Sequence, residues 1–195
     1  MVLRTAHVLN SLETGLTSKS PATRAGAFLL LTAISEICKS AVEPYLIPLV
    51  PSILDGAADK APEVHAAALR AGRAAVNNMC PYRARFVPPI VKEAMTSTAR
   101  WQQKNAACVL LNDILSRAPS ASAPSLPMFF PALRELMTDA REEVRESALA
   151  AMQVALTLVN NRDLEPLLPV CALLTPLLYC DTCQVTAVLC TAFTT

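Results

Sequence analysis

The amino-acid sequence predicts an all-α fold, an α-solenoid of about five helix pairs, and three observations carry that expectation. The first is composition: 53% of the 195 residues are hydrophobic, only 5% are aromatic and only 4 are glycine. Chains rich in Ala, Leu and Val suit close-packed helices better than sheet sandwiches, which draw on β-branched and aromatic residues. The second is the stretch from Arg100 to Val159. It reads as an amphipathic helix, a Pro/Ser/Ala connector, another helix, a charged turn at Asp139, and a helix with small apolar residues at helical spacing. The third is that this order of elements recurs on both sides of the stretch.

Taken in order, Val2, Leu3, Val8, Leu9, Leu12 and Leu16 predict a first helix. Ser20-Pro21 predicts the start of the next, with Ser capping free amides and Pro in the first turn. Its apolar face runs through Ala25, Phe28, Leu29 and Thr32 to Ile37. Val42–Leu54 is apolar but proline-rich: Pro44 fits a helix start, whereas Pro48 and Pro51 must kink or split the helix. Asp55-Gly56 predicts a turn, and Pro62 opens a helix with a contact face of Val64, Ala67, Leu69, Ala71 and Ala75.

Pro81–Thr98 repeats the first type of helix, and Arg100–Arg117 repeats the second. Ala118–Pro127 reads as the longest linker. Leu126–Met137 and Glu142–Val159 then form a fourth pair. Asp139 and Glu142 have the D-x-x-E spacing of a capping box at its turn. Asp163 begins a fifth pair. The expected repeats span 1–39, 42–79, 81–117, 124–160 and 163–195, the last incomplete.

Counting supports the array. Pro51, Pro89, Pro131 and Pro169 lie 38, 42 and 38 residues apart. Thr23, Val64, Gln102, Val144 and Val185 mark second helices at steps of 41, 38, 42 and 41. Two helices per period near 40 make a HEAT/armadillo-like superhelix, in which each pair buries its apolar face only by stacking on its neighbours.

Other classes fit less well. The N-terminal MVLRTAHVLNSLETG lacks an apolar run ending in a small-residue cleavage site, so no secretory signal is expected. Seven cysteines, mostly inside apolar helical stretches, predict reduced thiols in a cytoplasmic protein. Between Pro166 and Thr195 the one charged residue is Asp181, but it and Pro166, Pro169 and Pro176 divide the run into pieces shorter than a span. Buried repeat helices, and no membrane contact, are expected there.

Three phrases add a resemblance. VEPYLIPLVPSILDGAADKAPEV, RWQQKNAACVLLNDI and LPMFFPALRELMTDAREEVRESALAAM, followed by NNRDLEPLLP, resemble the N-terminal HEAT-repeat region of fungal-type translation elongation factor 3, an ABC-family ATPase of the ribosome. The likeness covers about Val42 to Leu178; its most specific words are RWQQK at Arg100–Lys104 and the D-x-x-x-E-V turn at Asp139–Val144. A second family with similar wording is the large activator of the initiation-factor-2α kinase, a HEAT-repeat interaction scaffold. The resemblance implies a clamp that contacts the ribosome, with ATP used only by separate cassettes. Against that pattern the chain reads as a fragment, and its tail YCDTCQVTAVLCTAFTT matches less well.

The residues themselves offer little for catalysis. Gly15, Gly26, Gly56 and Gly72 are scattered, and none forms a phosphate-binding loop with Lys and Ser/Thr. His7 and His65 stand alone, and His65 reads as a partly exposed helix residue. Cys180 and Cys183 have the spacing of a metal or redox pair. However, only Cys171 and Cys190 lie near them, with no histidine and no βαβ setting, so two thiols at a helix turn are expected. No catalytic, cofactor or metal site is predicted.

Charge is more informative. Between residues 70 and 117 eight basic residues face two acidic ones, while residues 118–195 hold eight acidic and four basic. Arg70, Arg73, Arg83, Arg85, Lys92, Arg100 and Lys104 are therefore candidate contacts to a polyanion, with ribosomal RNA implied by the resemblance. The acidic C-terminal repeats would face basic ribosomal proteins. Trp101, the single tryptophan, is expected to pack on a neighbouring helix.

Overall fold

The computed structural model describes residues 2–80, 86–96 and 98–158. The expected fifth pair, 163–195, the apolar run from Pro166 and the Cys180–Cys183 pair lie outside the described residues.

Each pair begins with a first helix and closes with a longer second one. The second helices are α2 (Pro21–Cys38), α5 (Pro62–Asn78), α7 (Trp101–Arg117) and α10 (Glu142–Leu158). Consecutive second helices pack side by side, α2 on α5, α5 on α7 and α7 on α10, forming one layer. The first helices make the other layer: α1 (Val2–Leu16), the broken run of α3 (Glu43–Leu46) and α4 (Val50–Gly56), then α6 (Pro88–Ala94) and, after α8 (Pro119–Ser122), α9 (Leu126–Leu136). Each packs on the second helix that follows it, so the fold is an α-solenoid with one continuous core.

Proline placement explains the broken first helix. Pro44, Pro48 and Pro51 sit in the opening turns of α3, of a 3-10 turn at Ile47–Leu49 and of α4. Proline lacks the amide an interior turn needs but fits a first turn, so each one restarts the helix. The apolar side chains Leu46, Leu49, Val50, Ile53 and Leu54 stay buried throughout. Pro21–Gly56 is apolar enough by composition to cross a membrane. It is nevertheless interrupted at Lys39, whose φ of 46° breaks the α-helix, and Phe28, Leu31 and Leu46 are buried in the core.

Four local expectations are corrected. Gly56 is the last residue of α4 and not a turn; a Cβ there would overlap Phe28 Cζ and stand 2.6 Å from its Cε2, so the helix can pass α2 only with a hydrogen at that site. Ala118–Pro127 is helical, formed by α8 and a 3-10 turn at Ala123–Ser125, since Pro119 and Pro124 each occupy a first turn. Ser20 is the N-cap of α2 by position, but its hydroxyl makes no capping bond. Finally, the second helices align one residue later in the third pair. The amides of Arg24, His65, Lys104 and Arg145 bond the carbonyls of Ser20, Ala61, Arg100 and Arg141, so Gln103, and not Gln102, matches Val64.

Candidate functional site

The turns before the second helices are built from a repeated ion pair. Asp59 accepts the Ala61 amide at 2.9 Å and receives the Arg24 guanidinium at 2.7 Å. Asp139 accepts the Arg141 amide at 3.1 Å and receives Lys104 Nζ at 3.0 Å. In each case the cation comes from the preceding second helix, 35 residues earlier. These rungs hold the starts of successive second helices together and therefore keep those helices parallel. Asp139 is thus not the cap of a D-x-x-E box: it folds onto the backbone two residues ahead and binds the previous repeat. The intervening rung differs, because His65 takes the place of Arg24 and its ring Nδ1 bonds the Ala57 carbonyl.

The backbone amides of Ala61 and Arg141, helped by Arg24 and Lys104, hold the Asp59 and Asp139 carboxyls below the usual value of 3.8. Groups with lowered folded values add stability above the unfolded value and lose it as pH falls through the folded one. Replacing both by Asn keeps the turn acceptors and removes the charges. In urea titrations, wild type should lose about 1 kcal/mol per rung more than the Asp59→Asn/Asp139→Asn variant between pH 5 and pH 2. Equal losses would show that the rungs contribute no charge-dependent stability.

The candidate basic residues do not form one surface. Arg70 and Arg73 lie one turn apart on the exposed face of α5. Lys92 is exposed on α6, in the other layer. Arg100 sits at the start of α7, exposed, with one guanidinium nitrogen 3.3 Å from the Ala58 carbonyl. Lys104 is committed to Asp139 with its side chain 13% exposed, so its charge is neutralised inside the array. Arg83 and Arg85 lie outside the described residues. No sequence signal marks this division, since it depends on which helix face each position takes.

Arg73 has a loose partner. Its Nε lies 3.6 Å from Asp113 Oδ2 on α7, an ion pair too long to be a hydrogen bond. Asp113 Oδ2 and the neighbouring Asn112 Oδ1 are buried without hydrogen-bond partners. Burial raises the Asp113 pKa, with Arg73 opposing the shift. From one second helix to the next the chemistry therefore changes: exposed arginines on α5, half-buried Asn112 and Asp113 on α7, then exposed Glu143 and Glu146 on α10.

Other features are structural. Trp101 is half-buried against the core, with the Arg141 guanidinium 5.2 Å from its ring centre. Cys108 is buried, which pushes its thiol up to about 12, far from a reactive thiolate. A groove of about 250 Å³ between α4, α6 and α7 is lined by Asp55, Glu93, Ile90 and Gln103, the wrong sign for a polyanion. Among the described residues no cluster of three His, Cys, Asp or Glu side chains could hold a metal.

The two-layer stack of helix pairs defines an α-solenoid repeat module. Comparison with known proteins makes this specific: the EF3 N-terminal HEAT repeat family matches residues 1–152, and the chain belongs to that family. It is 32% identical over 167 residues to elongation factor 3 of Gonapodya prolifera, covering 83% of this chain. It is also 30% identical over 163 residues to elongation factor 3A of Saccharomyces cerevisiae, covering 84%. The chain spans 15% and 16% of the length of these two curated relatives. It is therefore a repeat region and not an ATPase cassette. A chain solved in a study of microtubule plus-end tracking by XMAP215, CLIP-170 and EB1 has the same fold, with a TM-score of 0.70 at 18% identity, covering 96% of this chain and 73% of that one. An engineered protein also aligns, with a TM-score of 0.59 at 18% identity, covering 90% and 73%.

Proposed function

We propose that this chain is a ribosome-binding HEAT segment of an elongation-factor-3-like translation factor, acting in the cytoplasm and non-catalytic in itself. The observation that supports this most is the family match across residues 1–152, which includes the whole basic block. Within it Arg70 and Arg73 stand exposed one turn apart on α5. That spacing suits adjacent phosphates of ribosomal RNA, and each phosphate neutralised would release condensed counterions.

Lys92 and Arg100 would add contacts from other faces, with Arg83 and Arg85 as further candidates. Lys104 is assigned to the array. Acidic α10 would meet basic ribosomal protein, and the rest of the surface offers protein contacts. ATP would be used elsewhere in the longer protein.

Co-sedimentation of the chain with ribosomes across a salt series tests the reading. Binding should weaken steadily as salt rises; no binding, or binding indifferent to salt, would contradict it.

A further inference from the structure

Helix α2 carries a lateral face that the described residues leave uncovered. In the register set by Arg24, His65, Lys104 and Arg145, Leu30 corresponds to Ala71, Leu110 and Ala151. Those three are 0%, 2% and 0% exposed, whereas Leu30 is 50% exposed. Gly26 corresponds to buried Ala67 and Ala106 and half-buried Ser147, yet is itself exposed. Ile37, two turns beyond Leu30, is 80% exposed.

In the later pairs this face is buried by the preceding second helix. A Cβ added to Gly72 of α5 would stand 2.9 Å from Leu110 of α7, so Leu110 lies directly on α5. Helix α10 packs on α7 across the next interface, where Ala148, Ala151 and Cys108 are buried. The face on α2 is thus continuous in register with three established interfaces.

Gly26 adds an independent sign. At Gly15, Gly56 and Gly72 an added Cβ would come within 3.1 Å or less of another helix, which explains the absence of a side chain. At Gly26 it would meet nothing within 4 Å. Glycine weakens a helix interior and is used where another backbone comes close, but among the described residues nothing does.

The geometry points to a helix-docking site: the Gly26, Leu30 and Ile37 face receives an amphipathic α-helix of a partner chain, lying parallel to α2 as each second helix lies on the one before it. The occupant presents what α5 presents to α7, an apolar residue, a small residue three later and an apolar residue four beyond that, as in Leu69, Gly72 and Val76. The small residue admits Leu30 as Gly72 admits Leu110. A phosphate backbone offers no apolar surface to cover these side chains, so this site is distinct from the arginine pair on α5.

A labelled peptide of residues 60–79, with Ala66→Glu and Arg70→Lys joined as a lactam on its solvent face to hold the helix, is the probe. Fluorescence anisotropy with the full chain should give saturable binding. Gly26→Leu and Leu30→Glu in the chain, and Gly72→Leu in the peptide, should each weaken it at least about tenfold. Circular dichroism should show both chain variants folded as wild type. No saturable binding, or equal binding to the variants, would overturn the proposal. A dimer of the chain that Leu30→Glu disperses would assign the face to a second copy and overturn the stated occupant.

Discussion

Replacing Phe28 by Ala should cost about 3–5 kcal/mol in urea unfolding, as expected for truncating a fully buried aromatic ring. Phe28 is 1% exposed and comes from α2, but its ring meets Gly56 of α4, beside Ala68 of α5. One side chain therefore joins the first two pairs. In a solenoid each pair is stabilised by its neighbours, so the loss should be concentrated there. Hydrogen exchange should show α1 and α2 opening ahead of α7 and α10. A loss below about 1 kcal/mol would mean that the site collapses around the cavity and that Phe28 is not the joining element.

Gly56→Ala should be the next most damaging change, costing about 1–3 kcal/mol through overpacking. The new methyl would overlap Phe28 Cζ and lie 2.6 Å from Cε2 and 3.1 Å from the Ala68 Cβ. A ring locked between helices cannot give way by that much without moving a helix. Because the damage passes through the ring, Phe28→Leu in the same chain should recover part of it. The double-mutant cycle should give a coupling of about 1 kcal/mol or more. Additive losses would place the strain elsewhere.

The periodic features of this fold are legible in the sequence. Pro51 and Pro89 mark first helices because a ring in a first turn is a local constraint, whereas Pro131, at the matching site of the fourth pair, lies inside α9; the helix breaks at Pro48 and Pro51 follow from the missing amides. What depends on a distant partner is not legible there. The spacing of Asp139 and Glu142 suggests a local cap, but the carboxylate answers a lysine 35 residues back. Gly56 looks like a turn residue because its reason for being glycine is a phenylalanine on another helix.

Charge divides the same way. Counting along the chain finds the basic block, while the helix faces decide which charges reach solvent. Arg70 and Arg73 share a stripe, Lys92 lies in the other layer, and Lys104 is tied to Asp139. The exposed face of α2 is partly visible as an apolar helix, but only its three buried counterparts show that among the described residues it lacks a neighbour.

The proposed ribosome contact is tested most directly by the salt slope of ribosome binding for wild type beside an Arg70→Gln/Arg73→Gln variant. If the two arginines meet phosphates, the variant should bind more weakly at low salt, and its log-affinity against log-salt slope should be shallower by about one for each arginine removed. An unchanged affinity and an unchanged slope would contradict the assignment of the contact to α5.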